Sequence, residues 1–358
     1  MRKYGVPTLV AGLLVFVSGL CGAEEARTAD PVTTPPPRTP VIFDTDLGND
    51  TDDALAMAML HAFETRGYCR LIAMTSTKDS PTSIGLVDAI NTFYGRGDIP
   101  LGAVRDGKEP AEGFTWVANI QDNGQPRYPH DADGTTVPDA TTTLRKALAA
   151  EADGSVVIVQ VGFFTNLARL LDSPADELSP LTGMELVQKK VKYLSVMAGV
   201  FKPFQQGDQT IDHHLEYNVV IDVPSAQKLA KEWPTPIIWS GFEIGIQAMY
   251  PWSSIENDFS YVEHHPCVDS FWVYLPPPYD RPTWDLTAVL YGVLPNRDYF
   301  ELSAPGRVEV QDDGFTVYTP QENGRDRYLI LSNDTQRTRL VEALIDFATQ
   351  PPMTKETP

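Results

Sequence analysis

The chain has 358 residues, enough for one large α/β domain or two average ones. Hydrophobic residues make up 42% of it and charged ones 21%, the balance of a globular protein with a sizeable core. A formal net charge of −20 argues against a nucleic-acid backbone or an anionic membrane as partner, since both would repel it.

The first residues carry the pattern of a secretory signal. Arg2 and Lys3 supply the charged start, and residues 6–20 form an apolar stretch too short and too Gly-broken for a membrane span. Small residues at Cys21 and Ala23 set a cleavage site after Ala23, while Leu20 is too bulky for lipoprotein processing at Cys21. Residues 1–23 are therefore expected to be removed, and the mature protein to be secreted or periplasmic. Residues 24–38 are rich in Pro, Thr and Ala and read as a disordered tether. One domain is expected over 39–350, with a flexible tail over 351–358.

Residues 40–43 form a short apolar run of strand type, and residues 54–60 are good helix formers. Between them, Asp44, Asp46, Asp50, Asp52 and Asp53 stand within ten residues. The acidic stretch thus sits at the carboxyl end of a strand, on the turn into a helix, which is where open α/β sheets bind ligands. Carboxylates this close all stay ionised only around a shared cation. Oxygen donors at this density suit Ca²⁺ or Mg²⁺ rather than Zn²⁺. A helix N-terminus also favours acids, which accounts for Asp50 as a cap but not for Asp44 and Asp46 on the strand side. An EF-hand loop is excluded, because Gly48 comes fifth rather than sixth and a strand precedes it. Asp-x-Asp after an apolar strand also occurs in phosphatases of the haloacid dehalogenase type. Asp44 would then be the nucleophile, although the acidic run into a helix departs from that pattern.

Further strands are expected at 71–75, 99–103, 155–161, 192–197, 236–240 and 328–331. Helical patterns fall between them at 84–93, closed by Gly95 and Gly97, then at 139–150 with Asp139 as cap, 167–171, 184–190, 222–233 and 285–291. Residues 105–137 read as a long polar insert, and such a loop is usually functional or disordered. Asp312-Asp313-Gly314 signals a hairpin between 307–311 and 315–318, and Asp334 reads as the cap of a last helix to about Gln350. The alternation defines an α/β fold with a doubly wound, mostly parallel open sheet, ending in a β-hairpin and helix. Cys69 opens an apolar run and is expected to be a buried free thiol, with its pairing to Cys267 left open.

Taken in order, these motifs resemble the inosine–uridine preferring nucleoside hydrolase family over nearly the whole mature chain, as a secreted bacterial-type member. That family's first strand ends in Asp-x-Asp-Pro-Gly-x-Asp-Asp-Ala; here the stretch is two residues longer and Leu47 replaces Pro. Aligned on Asp53-Ala54, Asp46 resembles the catalytic base and calcium ligand, Asp53 the bidentate calcium ligand, and Asp52 the holder of a ribose hydroxyl. The alignment leaves Asp50 without a counterpart. Gly162-Phe163-Phe164-Thr165-Asn166 is similar to the Gly-Pro-Leu-Thr-Asn turn, whose Thr gives its carbonyl to calcium. Glu216-Tyr217-Asn218 resembles the Glu-Phe-Asn that binds ribose hydroxyls. Trp284-Asp285 resembles the Trp-Asp or His-Asp pair, with Asp285 closing the calcium shell and Trp284 stacking on the base.

The resemblance implies a Rossmann-like nucleoside hydrolase fold. It also implies calcium-dependent hydrolysis of the N-glycosidic bond of ribonucleosides to ribose and free base, leaning to purines because Trp284 stands where many relatives have a His. Asp46 would be catalytic, and the metal would be held by Asp46, Asp53, Thr165 and Asp285. The substrate would be held by Asp52, Glu216, Asn218 and Trp284. Trp116 and Tyr128 are further candidates for stacking, and His213, His214, His264 and His265 for protonating the leaving base. The implied partner is a small-molecule nucleoside, and the implied assembly a homodimer or homotetramer. Residues 76–79 lack the family's Gly-Asn. Two other readings stay open: a non-catalytic nucleoside- or sugar-binding protein on the same fold, and the phosphatase.

Overall fold

Val41, Ile42 and Phe43 give a strand with no polar face, and such a strand is stable only when both faces are covered. In the computed structural model, which describes residues 38–110 and 113–353, it is β1 (Thr39–Thr45), in the interior of a ten-stranded sheet. The expected signal peptide, the tether as far as residue 37 and the tail from residue 354 lie outside the described residues.

The other strands are β2 (Cys69–Lys78), β3 (Leu101–Lys108), β4 (Val156–Gln160), β5 (Val191–Met197), β6 (Ile237–Ser240), β7 (Glu301–Leu302), β8 (Gly306–Val310), β9 (Thr316–Pro320) and β10 (Asp326–Ile330). Their order is β9-β8-β10-β6-β5-β4-β1-β2-β3, with β7 beside β10. Every pair from β3 across to β10 is parallel, and β7, β8 and β9 are antiparallel additions.

The helices are α1 (Asp52–Thr65), α2 (Pro81–Phe93), α3 (Ala140–Ala150), α4 (Thr165–Asp172), α5 (Gly183–Lys190), α6 (Tyr217–Ile221), α7 (Val223–Glu232), α8 (Phe242–Gln247), α9 (Trp252–Asn257), α10 (Pro266–Tyr274), α11 (Trp284–Val293) and α12 (Asp334–Ala348). Successive β1 side chains point to opposite faces, so Val41 and Phe43 join one core cluster and Ile42 the other. The first cluster packs under α1, α2, α11 and α12, the second under α3, α4, α5 and α7. The expected doubly wound sheet with its C-terminal hairpin and helix is therefore present.

The chain moves outward from β1 to β2 and β3, then returns to the opposite side of β1 with β4. The connections leaving β1 and β4 thus diverge and open a crevice at their carboxyl ends. The acidic stretch follows β1 directly.

Some local expectations are corrected. β3 runs on to Lys108, and the supposed insert is a packed wall. It contains a 3₁₀ turn over Thr115–Asn119 and a small ribbon, and it buries Phe114, Val117 and Tyr128. Apolar residues scattered among polar ones carried no periodic signal there. The last helix is capped by Asn333, which accepts from the Gln336 N–H at 2.9 Å, rather than by Asp334. Cys69 and Cys267 are both buried and free. Among the described residues no helix is long and apolar enough to cross a membrane.

Gly162, just after β4, allows the strand ends to meet. A Cβ there would lie 2.4 Å from Thr77 Oγ1 and 2.6 Å from the Asp46 nitrogen. Gly162→Ala is expected to destabilise the protein by about 1–3 kcal/mol, as overpacking does. Denaturant titration should show a lower midpoint at unchanged slope; an unchanged midpoint would mean the turn has slack.

Candidate active site

The loop after β1 is pinned at several points. Thr45 Oγ1 accepts from the Leu47 N–H at 3.1 Å and donates to Asp53. Gly48 takes a φ of +121°, a conformation side chains oppose, and turns the chain back. Ser83 Oγ donates to the Leu47 carbonyl at 2.8 Å. The Asn49 amide donates to Asp46, while its oxygen accepts from Lys78 Nζ at 3.0 Å. Thr51 stands at the N-cap of α1 without a side-chain cap bond, so Asp50 is not the cap expected of it.

Asp44 lies beneath this loop. It accepts from Thr75 Oγ1 at 2.6 Å and from Asn166 Nδ2 at 2.8 Å, and it is wholly buried. Burial raises its pKa to about 7. It does not line the cavity described below, so it cannot serve as a phosphatase nucleophile, which must touch its substrate. Thr165 opens α4, is buried and donates through its hydroxyl to Asp222.

The start of α11 also meets this acidic stretch. Ser195 Oγ on β5 donates to the Ala288 carbonyl at 2.8 Å and holds the helix on the sheet. The Asp285 N–H then donates to Asp52 Oδ2 at 3.1 Å. This arrangement brings Asp50, Asp53 and Asp285 together, each with an oxygen within 4.8 Å of the others, a group that can hold a metal ion. At an effective dielectric constant of about 20, each such pair of charges repels by at least about 3.5 kcal/mol. Three pairs approach about 10 kcal/mol, comparable to the whole stability of a typical domain. Asp53 Oδ2 is buried and has no hydrogen-bond partner, so it fits a cation better than it fits a closed hydrogen-bond network.

One residue here escaped the sequence reading. Arg281, on a short ribbon pairing Arg281–Pro282 with Met249–Tyr250, forms ion pairs with Asp50 and, at 3.1 Å, with Asp52. Burial alone would lower its pKa, but the Asp50 and Asp52 charges more than reverse that. Nothing in residue spacing links an arginine to an acidic loop so distant in sequence.

A cavity of about 330 Å³ opens onto this cluster. Asp46, Asn49, Asp50 and Asp285 line one part of it; Val161, Met197, Leu215, Phe242 and Trp284 give it apolar walls, and His214, Glu216, Tyr217 and Asn218 complete it. Of the residues expected to bind substrate, Glu216, Asn218 and Trp284 therefore reach the cavity, while Asp52 stays buried behind its wall. Of the expected metal ligands, Asp46 and Asp285 line it; Asp53 and Thr165 do not.

Glu216 caps α6 and accepts from the N–H groups of Asn218, Gly199 and Val219 at 2.8, 3.2 and 3.2 Å. Asn218 Nδ2 donates to the Val161 carbonyl at 2.8 Å, which orients its amide from the end of β4. Trp284 donates to the Phe242 carbonyl at 2.9 Å, and the two rings lie 4.9 Å apart at 32°. Gly245 makes room, since a Cβ there would stand 2.1 Å from Trp284 Cδ1.

The remaining candidates sort by position. His214 lines the cavity with its ring 4.3 Å from Phe242. His213 stacks on Phe315, His264 lies 3.9 Å from Glu263, and His265 is a buried cap of α10. Tyr128 is buried with its hydroxyl donating to Asp269 at 2.6 Å, and Trp116 is half exposed. Neither lines the cavity, so among its described residues the insert supplies no stacking residue to it.

Burial raises Asp46 and Glu216 to about 7 and Asp52 to about 8. Asp53 and Asp285 rise well above the usual carboxylate range, through burial first and neighbouring carboxylates second.

The profile of the inosine-uridine preferring nucleoside hydrolases matches residues 41–346, and the chain belongs to that family. It is a hydrolase of N-glycosyl compounds by class. Among solved structures it is similar to a plant nucleoside hydrolase, at 22% identity and a TM-score of 0.63, covering 88% of this chain and 100% of that one. It is similar to the inosine-uridine preferring nucleoside hydrolase of Bacillus anthracis, at 15% identity and a TM-score of 0.64, covering 87% and 99%. It is also similar to the type III effector XopQ complexed with adenosine diphosphate ribose, at 14% identity and a TM-score of 0.63, covering 89% and 96%. Among curated protein sequences none matches the chain.

Asp44, Asp46, Asp52 and Glu216 bind protons more tightly in the folded protein than in the unfolded chain. The folded state therefore carries more protons between roughly pH 4 and 8, and stability falls as pH rises through that window. Chelator-treated protein should melt higher at about pH 5 than at about pH 8, and a divalent cation that the cluster binds should recover the loss at the higher pH. A melting temperature that climbs across this range would contradict the burial assigned to these groups.

Proposed function

We propose that the protein hydrolyses the N-glycosidic bond of ribonucleosides, with calcium in the carboxylate cluster and a lean towards purine bases. One observation carries this reading: a single cavity brings together carboxylates that need a cation and an aromatic wall formed by Phe242 and Trp284. A nucleoside has the same two characters, a polyhydroxylated sugar and a flat π-surface.

Asp46, Asp53 and Asp285 would hold the ion, together with the Thr165 carbonyl. When bound, the ion lowers the pKa of a coordinated water and orients the sugar diol. Asp46 lines the cavity and takes the proton of the attacking water. Asn218 and Glu216 present an amide and a carboxylate to the ribose hydroxyls. Attack at the anomeric carbon passes through an oxocarbenium-like transition state, as in other glycoside cleavages. Trp284 stacks on the departing base, and the apolar walls keep other water away from the cation-like sugar.

A second reading is a protein that binds nucleoside or ADP-ribose-like ligands without turnover. It is favoured by Arg281, which occupies Asp52, the residue that resembles a ribose holder, and by the ADP-ribose complex of the similar effector. We also read the chain as exported, on its charged start, apolar stretch and small residues before Glu24.

Ribose release from inosine, adenosine, guanosine, uridine and cytidine, with calcium and with chelator, tests these readings. Chelator-sensitive release supports the hydrolase; calcium-dependent binding without release supports the second reading. Asp46→Asn should lower kcat by about 10²–10⁴-fold with KM changed far less, as loss of a general base does. Trp284→Ala should raise KM for purine nucleosides about 2–10-fold more than for pyrimidine ones, on the scale of one stacking interaction. Equal effects on both classes would remove the purine lean.

A further inference from the structure

We propose that Asp50 is a metal ligand particular to this chain's longer loop, and that Arg281 is the positioning residue that holds it and weakens the cluster's grip on a divalent cation. The inference rests on the metal-dependent reading given above and extends it.

Asp50 is the middle one of the three residues, two more than in the resembled motif, that separate Gly48 from Asp52-Asp53. Its side chain is 33% exposed and lines the cavity, whereas Asp53 is wholly buried. Yet it shares with Asp53 and Asp285 the group whose oxygens lie within 4.8 Å of one another. The unpartnered buried oxygen of Asp53 points independently to a role as cation ligand. Asp50 pairs with Arg281 through Oδ2, which leaves its other oxygen for an ion.

Arg281 cannot easily leave. It is 7% exposed, spans Asp50 and Asp52, and its guanidinium lies 4.9 Å from the Tyr274 ring and 5.0 Å from the Trp284 ring. It therefore has two opposing effects. It orients Asp50 towards Asp53 and Asp285, and it places a fixed positive charge beside the position of a divalent ion. The direct repulsion wins, because the ion carries twice the charge of Asp50 and the remaining carboxylates hold it without Arg281.

Titration calorimetry of calcium into chelator-treated protein tests this, with thermal melts to confirm folding. Asp50→Asn should weaken binding about tenfold or more, the loss of one carboxylate ligand. Arg281→Met should tighten it about tenfold, the removal of one nearby charge, and Arg281→Lys should bind like the wild type. The gain from Arg281→Met should shrink when Asp50→Asn is also present. Binding by Asp50→Asn within twofold of the wild type would overturn the ligand assignment. Weaker binding by a folded Arg281→Met would overturn the opposing role. If Arg281→Met does not fold, Asp50→Asn still decides the ligand assignment, and Arg281→Lys binding tighter than the wild type would count against the charge effect. Wild-type protein that binds calcium but releases no ribose would remove the hydrolase reading and leave this inference standing. Wild-type protein that binds no calcium would remove both.

Discussion

Negative charge is concentrated where β1 ends, and the surrounding structure is arranged to tolerate it. Asp46, Asp50, Asp52, Asp53 and Asp285 converge in a region where four of the five are buried. Several groups share the offset. Arg281 takes Asp50 and Asp52; Lys78 acts on Asp46 through the Asn49 amide. Thr45 donates to Asp53, and the Asp285 N–H donates to Asp52. The first turn of α1 adds the positive end of a helix dipole, worth typically 0.3–1 kcal/mol per charge near the surface. That is small against repulsion of several kcal/mol per pair. The hydrogen bonds orient the carboxylates without neutralising them, which leaves a demand that a metal ion can meet.

The sheet determines which residues share that demand. Because β4 returns beside β1, the turn from Gly162 to Asn166 meets the acidic loop, and Asn166 bonds both Asp44 and the Ser76 carbonyl. α11 lies across β4 and β5, so its first turn delivers Trp284 and Asp285 to the same crevice. Small residues make these meetings close enough. Gly162 does so at the strand ends and Gly245 beneath the indole.

The legible part of the sequence was the part encoded locally. An apolar strand followed by acids and a helix announces a ligand loop within about twenty residues, and the alternation of buried strands with helical periodicity announces the doubly wound sheet. Asp46, Asp285, Glu216, Asn218 and Trp284 could be placed because each sits in a short motif, next to a strand end or helix start, that resembles one of the family's. Arg281 could not. It comes from a two-residue ribbon with no periodicity, and its meaning lies in partners more than 200 positions away. Asp50 was ambiguous for a related reason: an extended loop has no register, so only three-dimensional closure shows that it meets Asp53 and Asp285. The stacking role considered for Tyr128 failed because aromaticity alone does not tell a core ring from a cavity ring.

Arg281 also changes how the cavity should be understood. Its guanidinium touches the acidic group through Asp50 and Asp52 and lies over the Trp284 ring. The two parts of the cavity, one that accepts positive charge and one that accepts a flat ring, are thus joined by one buried side chain. A change in charge at the carboxylates alters the field on Arg281, and Arg281 packs against the indole that forms the aromatic wall. The pyrrole edge of that indole is held by the Phe242 carbonyl, so the ring cannot follow freely. The extended loop thus meets Arg281 through Asp50, its partly exposed carboxylate, directly at the cavity surface.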